Sequence, residues 1–284
     1  MALPNEIGRT PLRHAIVTVV CWLIGGLFAL PFLFMITSSL RPGRDILANL
    51  SKLTWHTFIP REWTFSNYST LFNGNFGRAV ANSLIVSAAT VIIGLMLCSL
   101  AAFGLSALRF RGAGLLFGLV VLSFLIPFDA IAIPLSALFR DWGLTNTYLG
   151  LLLPGIGNGL AIFVLRQFFL GIPWELTEAA RVDGLNWFGI YLRIYLPLSK
   201  PALIGAGFTL FLFQWQAYLW PLLIGTAPDK TLGPIALANL NGQFKVDFGA
   251  IFAGSVLLTI VPAVLLLAFQ RHFTGSLAAT TSKE

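Results

Sequence analysis

Apolar residues in this chain fall into six long blocks separated by polar joints, at about 14–36, 81–106, 113–136, 147–170, 202–225 and 250–269. At 1.5 Å of rise per residue, roughly 20 helical residues cover a hydrocarbon core of ~30 Å, so each block is long enough to span a bilayer. A backbone in lipid must satisfy its own hydrogen bonds, which predicts helices for all six. The fold class is therefore all-α, a polytopic integral membrane protein with six transmembrane helices. The first block follows a basic flank with Arg9 and Arg13. Its length, with no small-residue cleavage site after it, predicts a retained span and not a signal peptide.

One joint differs from the rest. Residues 171–201 mix charged and apolar positions where the blocks on either side are almost uniformly apolar. Pro173 suits the first turn of a helix, Glu175 and Glu178 suit its positive end, and Asp183-Gly184 supplies a turn that stops it. Asn186 is placed to cap a second short helix over Trp187 to Leu196, with Pro197 and Pro201 ending the run. Such a helix-turn-helix suits either lipid headgroups or a groove on a partner.

The order Glu178-Ala179-Ala180, Gly184, Ile194, Leu196-Pro197, with Asp183 before the glycine, resembles the EAA loop of permease subunits in bacterial ABC importers. The resemblance implies a cytoplasmic loop that docks on an ATPase subunit through Glu178, Ala179, Ala180, Asp183 and Gly184. Small alanines permit close approach, the glutamate is a charged anchor, and the Asp-Gly bend sets the angle between the helices. Val164 to Phe169 leading into Ile172-Pro173, Tyr218 to Leu223, and Phe269-Gln270-Arg271 are similar to the carbohydrate-uptake branch, the group that includes the maltose and glycerol-3-phosphate importers. The closing TGSLAATTSKE departs from that group, which ends in Gly-Ala-x-Lys-Gly.

The resemblance further implies a multi-pass subunit of the bacterial inner membrane with both termini cytoplasmic. Its implied partners are a second, related permease, two nucleotide-binding ATPase subunits that hold ATP and Mg, an external solute-binding protein and membrane lipid. The implied cargo is a sugar or sugar-like solute of the oligosaccharide, polyol or glycerol-3-phosphate class. Within the long joint 37–80, residues 59–72 are similar to the external loop of carbohydrate-type permeases through the pair Asn67-Tyr68. That segment suits either a surface for the binding protein or a packed lid over the helices.

Composition agrees with a bilayer as solvent: 57% of residues are hydrophobic, 10% are charged, and the mean hydropathy is +0.83. The net charge of +7 belongs to residues beside the spans, so topology and anionic headgroups explain it better than nucleic acid does. With both termini inside, ten lysines and arginines fall inside and eight outside, five of the eight in the long first joint. Cys21 and Cys98 each lie within an apolar block, and no disulfide is expected of them.

No glycine-rich loop followed by Lys-Ser or Lys-Thr is present to cradle a nucleotide, so this chain is expected to bind no cofactor and not to be an enzyme. His14, His56 and His272 are scattered, and none joins cysteine or carboxylate at metal-ligand spacing. Asp129 stands between Pro127 and Pro134 in the third block, where an ionisable group is costly unless it meets protein or water. Two placements fit it: on a solute path, or near the outer interface bonded to a neighbouring helix. In the fifth block, Gln214, Trp215, Gln216 and Tyr218 combine amides with rings, a pairing suited to a sugar or polyol. An aromatic belt at the outer interface would explain Trp220 equally well. An ion-coupled secondary carrier working without an ATPase is the alternative, but it needs several buried ionisable groups and only Asp129 qualifies. A polytopic membrane enzyme would need His, Asp or Glu clustered at span ends, and no such cluster is present.

Overall fold

The structure, a computed structural model, describes residues 11–50, 55–241 and 246–281, all helix, turn and loop apart from one isolated bridge between Asn241 and Val246. Arg9, Lys52, Lys245 and Lys283 lie outside the described residues, as do the side chains of Arg13, His14, Arg271 and His272. The described chain forms two compact units, one of residues up to 73 with 240–257, the other of residues 74–239 with those from 258 on.

In the first unit, α1 (Pro11–Ser39) leads into α2 (Gly43–Leu50), a 3-10 turn at Trp55–Thr57 and α3 (Ser66–Asn73). A buried arginine holds this connection together. Arg41, 2% exposed, donates from Nη2 to the Thr57 carbonyl at 2.9 Å and from Nη1 to the His56 carbonyl at 3.1 Å. Burial pushes its guanidinium below the usual arginine range, and nearby Asp45 partly offsets the shift. Asn67 donates to the carbonyls of Ser39 and Arg41 at 2.8 and 2.9 Å, and the Tyr68 hydroxyl lies 2.8 Å from the Ser39 hydroxyl. The Asn67-Tyr68 pair thus turns inward and pins its own loop to the end of α1.

The second unit holds α4 (Phe76–Ala107), α5 (Ala113–Leu125), α6 (Phe128–Asp141), α7 (Tyr148–Ile156) and α8 (Gly159–Leu170). It continues with α9 (Trp174–Val182), α10 (Trp187–Leu198), α11 (Lys200–Trp215), α12 (Leu219–Ile224) and α13 (Gly233–Asn239). The last helix, α14 (Phe248–Thr281), carries the sixth block.

Three helices are long and apolar enough to cross a membrane alone: Ala15–Ser39 within α1, Phe76–Ala107, and Phe248–Gln270 within α14. Three bent pairs bring the number to six if each counts as one span: α5 with α6 at 95°, α7 with α8 at 41°, and α10 with α11 at 85°. A proline explains the sharpest of these bends. Pro127 drives Ile126 into extended backbone (φ −78, ψ 120), and α6 restarts immediately after it, so the third block, expected as one helix, is broken. The fifth block is likewise not a single helix over 202–225. α11 ends at Trp215, and Pro221 falls in the first turn of α12, where a missing N–H needs no acceptor.

Two buried clusters hold the second unit. One gathers Phe103, Leu165, Phe169, Tyr191, Tyr195 and Leu210; the other gathers Val86, Phe139, Leu151, Trp220, Ile224 and Leu232. Trp220 is a core residue and not part of an outer aromatic belt. Its ring meets Phe139 edge to face at 4.9 Å and its indole N–H donates to the Gly150 carbonyl at 3.0 Å.

Candidate functional site

α9 and α10 form the predicted short pair. Pro173 stands at the cap position just before α9, one residue ahead of the first turn. The end of α9 is closed by the Gly184 N–H reaching the Arg181 carbonyl at 3.1 Å and the Leu185 N–H reaching the Ala180 carbonyl at 3.0 Å. That closure requires the left-handed backbone that Gly184 adopts, φ +84, which costs an L side chain about 1–2 kcal/mol. Asn186 caps α10 by accepting the Gly189 N–H at 2.7 Å. The prolines do not end α10 as predicted. Tyr191–Tyr195 winds more widely, the Leu196 N–H reaches back to the Tyr191 carbonyl, and the helix passes through Pro197 to Leu198. The wide turn absorbs the hydrogen bond that Pro197 cannot make, and Pro201 opens α11 instead of closing α10.

Side chains of α9 divide sharply between its two faces. Thr177 and Ala180 point into the core, with Ala180 only 4% exposed in the same cluster as Phe169, Tyr191 and Tyr195. Glu178, Ala179, Asp183 and Gly184 are exposed, and Val182 is 88% exposed. Of the two alanines, only Ala179 is available to a partner, a correction forced by the 100° step between neighbours on a helix. Glu178 Oε1 accepts the Trp174 indole N–H at 2.8 Å, and the Arg109 guanidinium lies 4.4 Å above the Trp174 ring.

Beneath this pair, Phe103 of α4 sits 5.3 Å from the Tyr191 ring and 4.9 Å from the Tyr195 ring. The Tyr191 hydroxyl lies 2.7 Å from that of Ser99 on α4, and the Tyr195 hydroxyl 3.2 Å from that of Thr177. α9 and α10 are thereby bound to each other and to α4. Phe103, Tyr191 and Tyr195 escape sequence reasoning because an aromatic in an apolar run looks like any other core residue, and Ser99 because a helix serine can bond its own backbone, as it also does here to the Met96 carbonyl.

A second feature is a cleft of about 550 Å³ between α6, α7, α11 and α12. Of the predicted path residues, Asp129, Gln214, Gln216 and Tyr218 line it together, beside Thr209, Phe128 and Phe213. Asp129 occupies the first turn of α6, where the third block is broken. Gln214 is 3% exposed; its Oε1 accepts from the Thr90 hydroxyl at 3.4 Å, while its Nε2 is buried without a partner. Gly155 makes room for this amide, since a Cβ there would stand 2.7 Å from Gln214 Oε1. Trp215 does not belong to the cleft. It is stacked on Phe211 with centroids 5.4 Å apart, and its indole N–H donates to the Leu258 carbonyl at 3.0 Å. Among the described residues no group of His, Cys, Asp and Glu could hold a metal ion.

Residues 94–278 match the family described as binding-protein-dependent transport system inner membrane component. The chain belongs to that family. Among its relatives in this family of inner membrane components is the arabinooligosaccharides transport system permease protein AraQ of Halalkalibacterium halodurans. It is 34% identical over 271 residues, covering 94% of this chain and 96% of the relative. The trehalose transport system permease protein SugB of Mycobacterium tuberculosis is 34% identical over 266 residues, covering 92% and 94% respectively. A chain of a bacterial ABC transporter involved in the import of the acidic polysaccharide alginate shares the fold, with a TM-score of 0.78 and 23% identity over 94% of this chain and 98% of that one. The inner membrane component described here is therefore a transport permease by family, and its helical architecture is that of an ABC importer permease.

Proposed function

We propose that this inner membrane component is one of two related permeases in an ATP-driven importer of a sugar or sugar-like solute. The relatives named for arabinooligosaccharides and trehalose support the cargo class, and amides beside aromatic rings in the cleft suit it. ATP and Mg are held by two ATPase subunits, an external binding protein delivers the solute, and both termini lie in the cytoplasm. The outward face of α9, with Glu178, Ala179, Val182 and Asp183 ahead of the Gly184 bend, is the observation that carries the mechanism. It docks in a groove of an ATPase subunit through a charged anchor, a small residue and an exposed apolar one.

Closure of the ATPase dimer displaces α9 and α10 together. Phe103 and the Ser99–Tyr191 contact pass that displacement to α4, and the spans tilt so that the path through Asp129, Gln214, Gln216 and Tyr218 opens alternately to each side. The test is uptake and ATP hydrolysis measured side by side in vesicles holding the assembled complex. Glu178→Lys reverses the anchor and Gly184→Pro forbids the positive φ. Both variants are expected to insert and assemble while uptake per ATP falls at least about tenfold, a loss of ~1.4 kcal/mol of coupling. Unchanged uptake per ATP in both would remove α9 from the coupling route.

A further inference from the structure

The cleft is polar in a particular way: among the described residues, the side chains lining it include one carboxylate, Asp129, and two amides, and no lysine, arginine or histidine. Four basic groups elsewhere in the second unit are engaged away from it, and Arg78, Arg111, Arg140, Arg193 and Lys200 are not among its lining residues. Arg109 and Arg181 lie over Trp174 and Trp187, Arg166 lies over Phe117 while donating to the Leu105 carbonyl, and Lys230 pairs with Asp229. An anion entering the cleft would lose hydration, gain no counter-charge from the described lining and face the Asp129 carboxylate. A hydroxyl meets the opposite conditions, since it can donate to Asp129 and accept from Gln214 Nε2, the buried donor that lacks a partner. Phe128, Phe213 and Tyr218 supply rings for the C–H faces of the same molecule.

We infer that the half of the path built by this chain selects uncharged, polyhydroxylated solutes and turns away anionic ones such as sugar phosphates and uronates. This selection rests on the cleft being the solute path, as proposed above. It narrows the cargo from the wider class that includes glycerol-3-phosphate.

The test is equilibrium binding to the assembled complex without its binding protein, so that the preferences of that protein do not enter. The probes are a radiolabelled neutral trisaccharide and the same trisaccharide ending in a uronate. The wild-type complex is expected to hold the neutral probe at least about tenfold more tightly, and Asp129→Lys to shrink that ratio by about tenfold or reverse it. Asp129→Asn, the milder change, is expected to move the ratio in the same direction. Gln214→Leu is expected to weaken the neutral probe. Equal wild-type affinity for the two probes, no binding of the neutral one, or a ratio that neither Asp129 variant moves would overturn the selection. Failure of the broader reading is seen separately, as absence of ATP-dependent uptake of any neutral saccharide by the same complex with its binding protein present.

Discussion

Gln214 and Trp215 are neighbours in sequence with opposite roles, and the contrast can be measured. Trp215→Phe keeps the stack on Phe211 but removes the donor to the Leu258 carbonyl, so stability is expected to fall by about 1 kcal/mol in thermal unfolding with solute affinity unchanged. Gln214→Ala is expected to weaken solute binding roughly five- to thirtyfold, about 1–2 kcal/mol, in the same complex. The sequence marks both residues because an amide is rare in an apolar run and a ring beside it makes a pairing suited to a sugar. It cannot separate them, since consecutive helical positions differ by 100° and bulky apolar residues stand on every side of α11. Ala179 and Ala180 repeat the lesson: the motif names both, and only the packing of Thr177 and Ala180 against the tyrosines tells which one faces out.

At the level of elements, local chemistry foretells the starts and stops that depend on one side chain. Gly184 ends α9 and Asn186 begins α10 where the turn and cap rules place them. Breaks that depend on how the chain compensates a proline are less legible. Pro127 severs a span, Pro134 sits inside α6, and Pro197 is accommodated by a wide turn, although the three residue types are identical. Phe103 is the hub joining α4 to α10, with ring contacts to Trp187, Tyr191 and Tyr195. Phe103→Ala is expected to cost about 3–5 kcal/mol in unfolding stability and to leave ATP hydrolysis running with less uptake per ATP. A variant that loses stability but keeps full uptake per ATP would make this hub a matter of folding alone.

For the whole molecule, six apolar blocks are enough to read an all-helical membrane protein, because lipid leaves a chain of this composition so few options, while the permease is read only through the resemblance carried by the residue order of 178–197. The meeting of Asp129 with Gln214, Gln216 and Tyr218 across some 85 residues of sequence (129 to 214) depends on the α5–α6 and α11–α12 breaks, which periodicity does not reveal. An ion-coupled carrier finds little support, as the described lining of the cleft offers one carboxylate and the relatives are transport system permeases of a binding-protein-dependent family. The central claim is that this surface is gripped by a separate ATPase. A photo-crosslinking benzoylphenylalanine placed at Val182, the most exposed apolar position of α9, tests it in the assembled, transporting complex. The account predicts a covalent adduct between this chain and an ATPase subunit, diminished when Gly184→Pro is added. A complex that transports solute and yields no such adduct, only crosslinks to lipid, would contradict it.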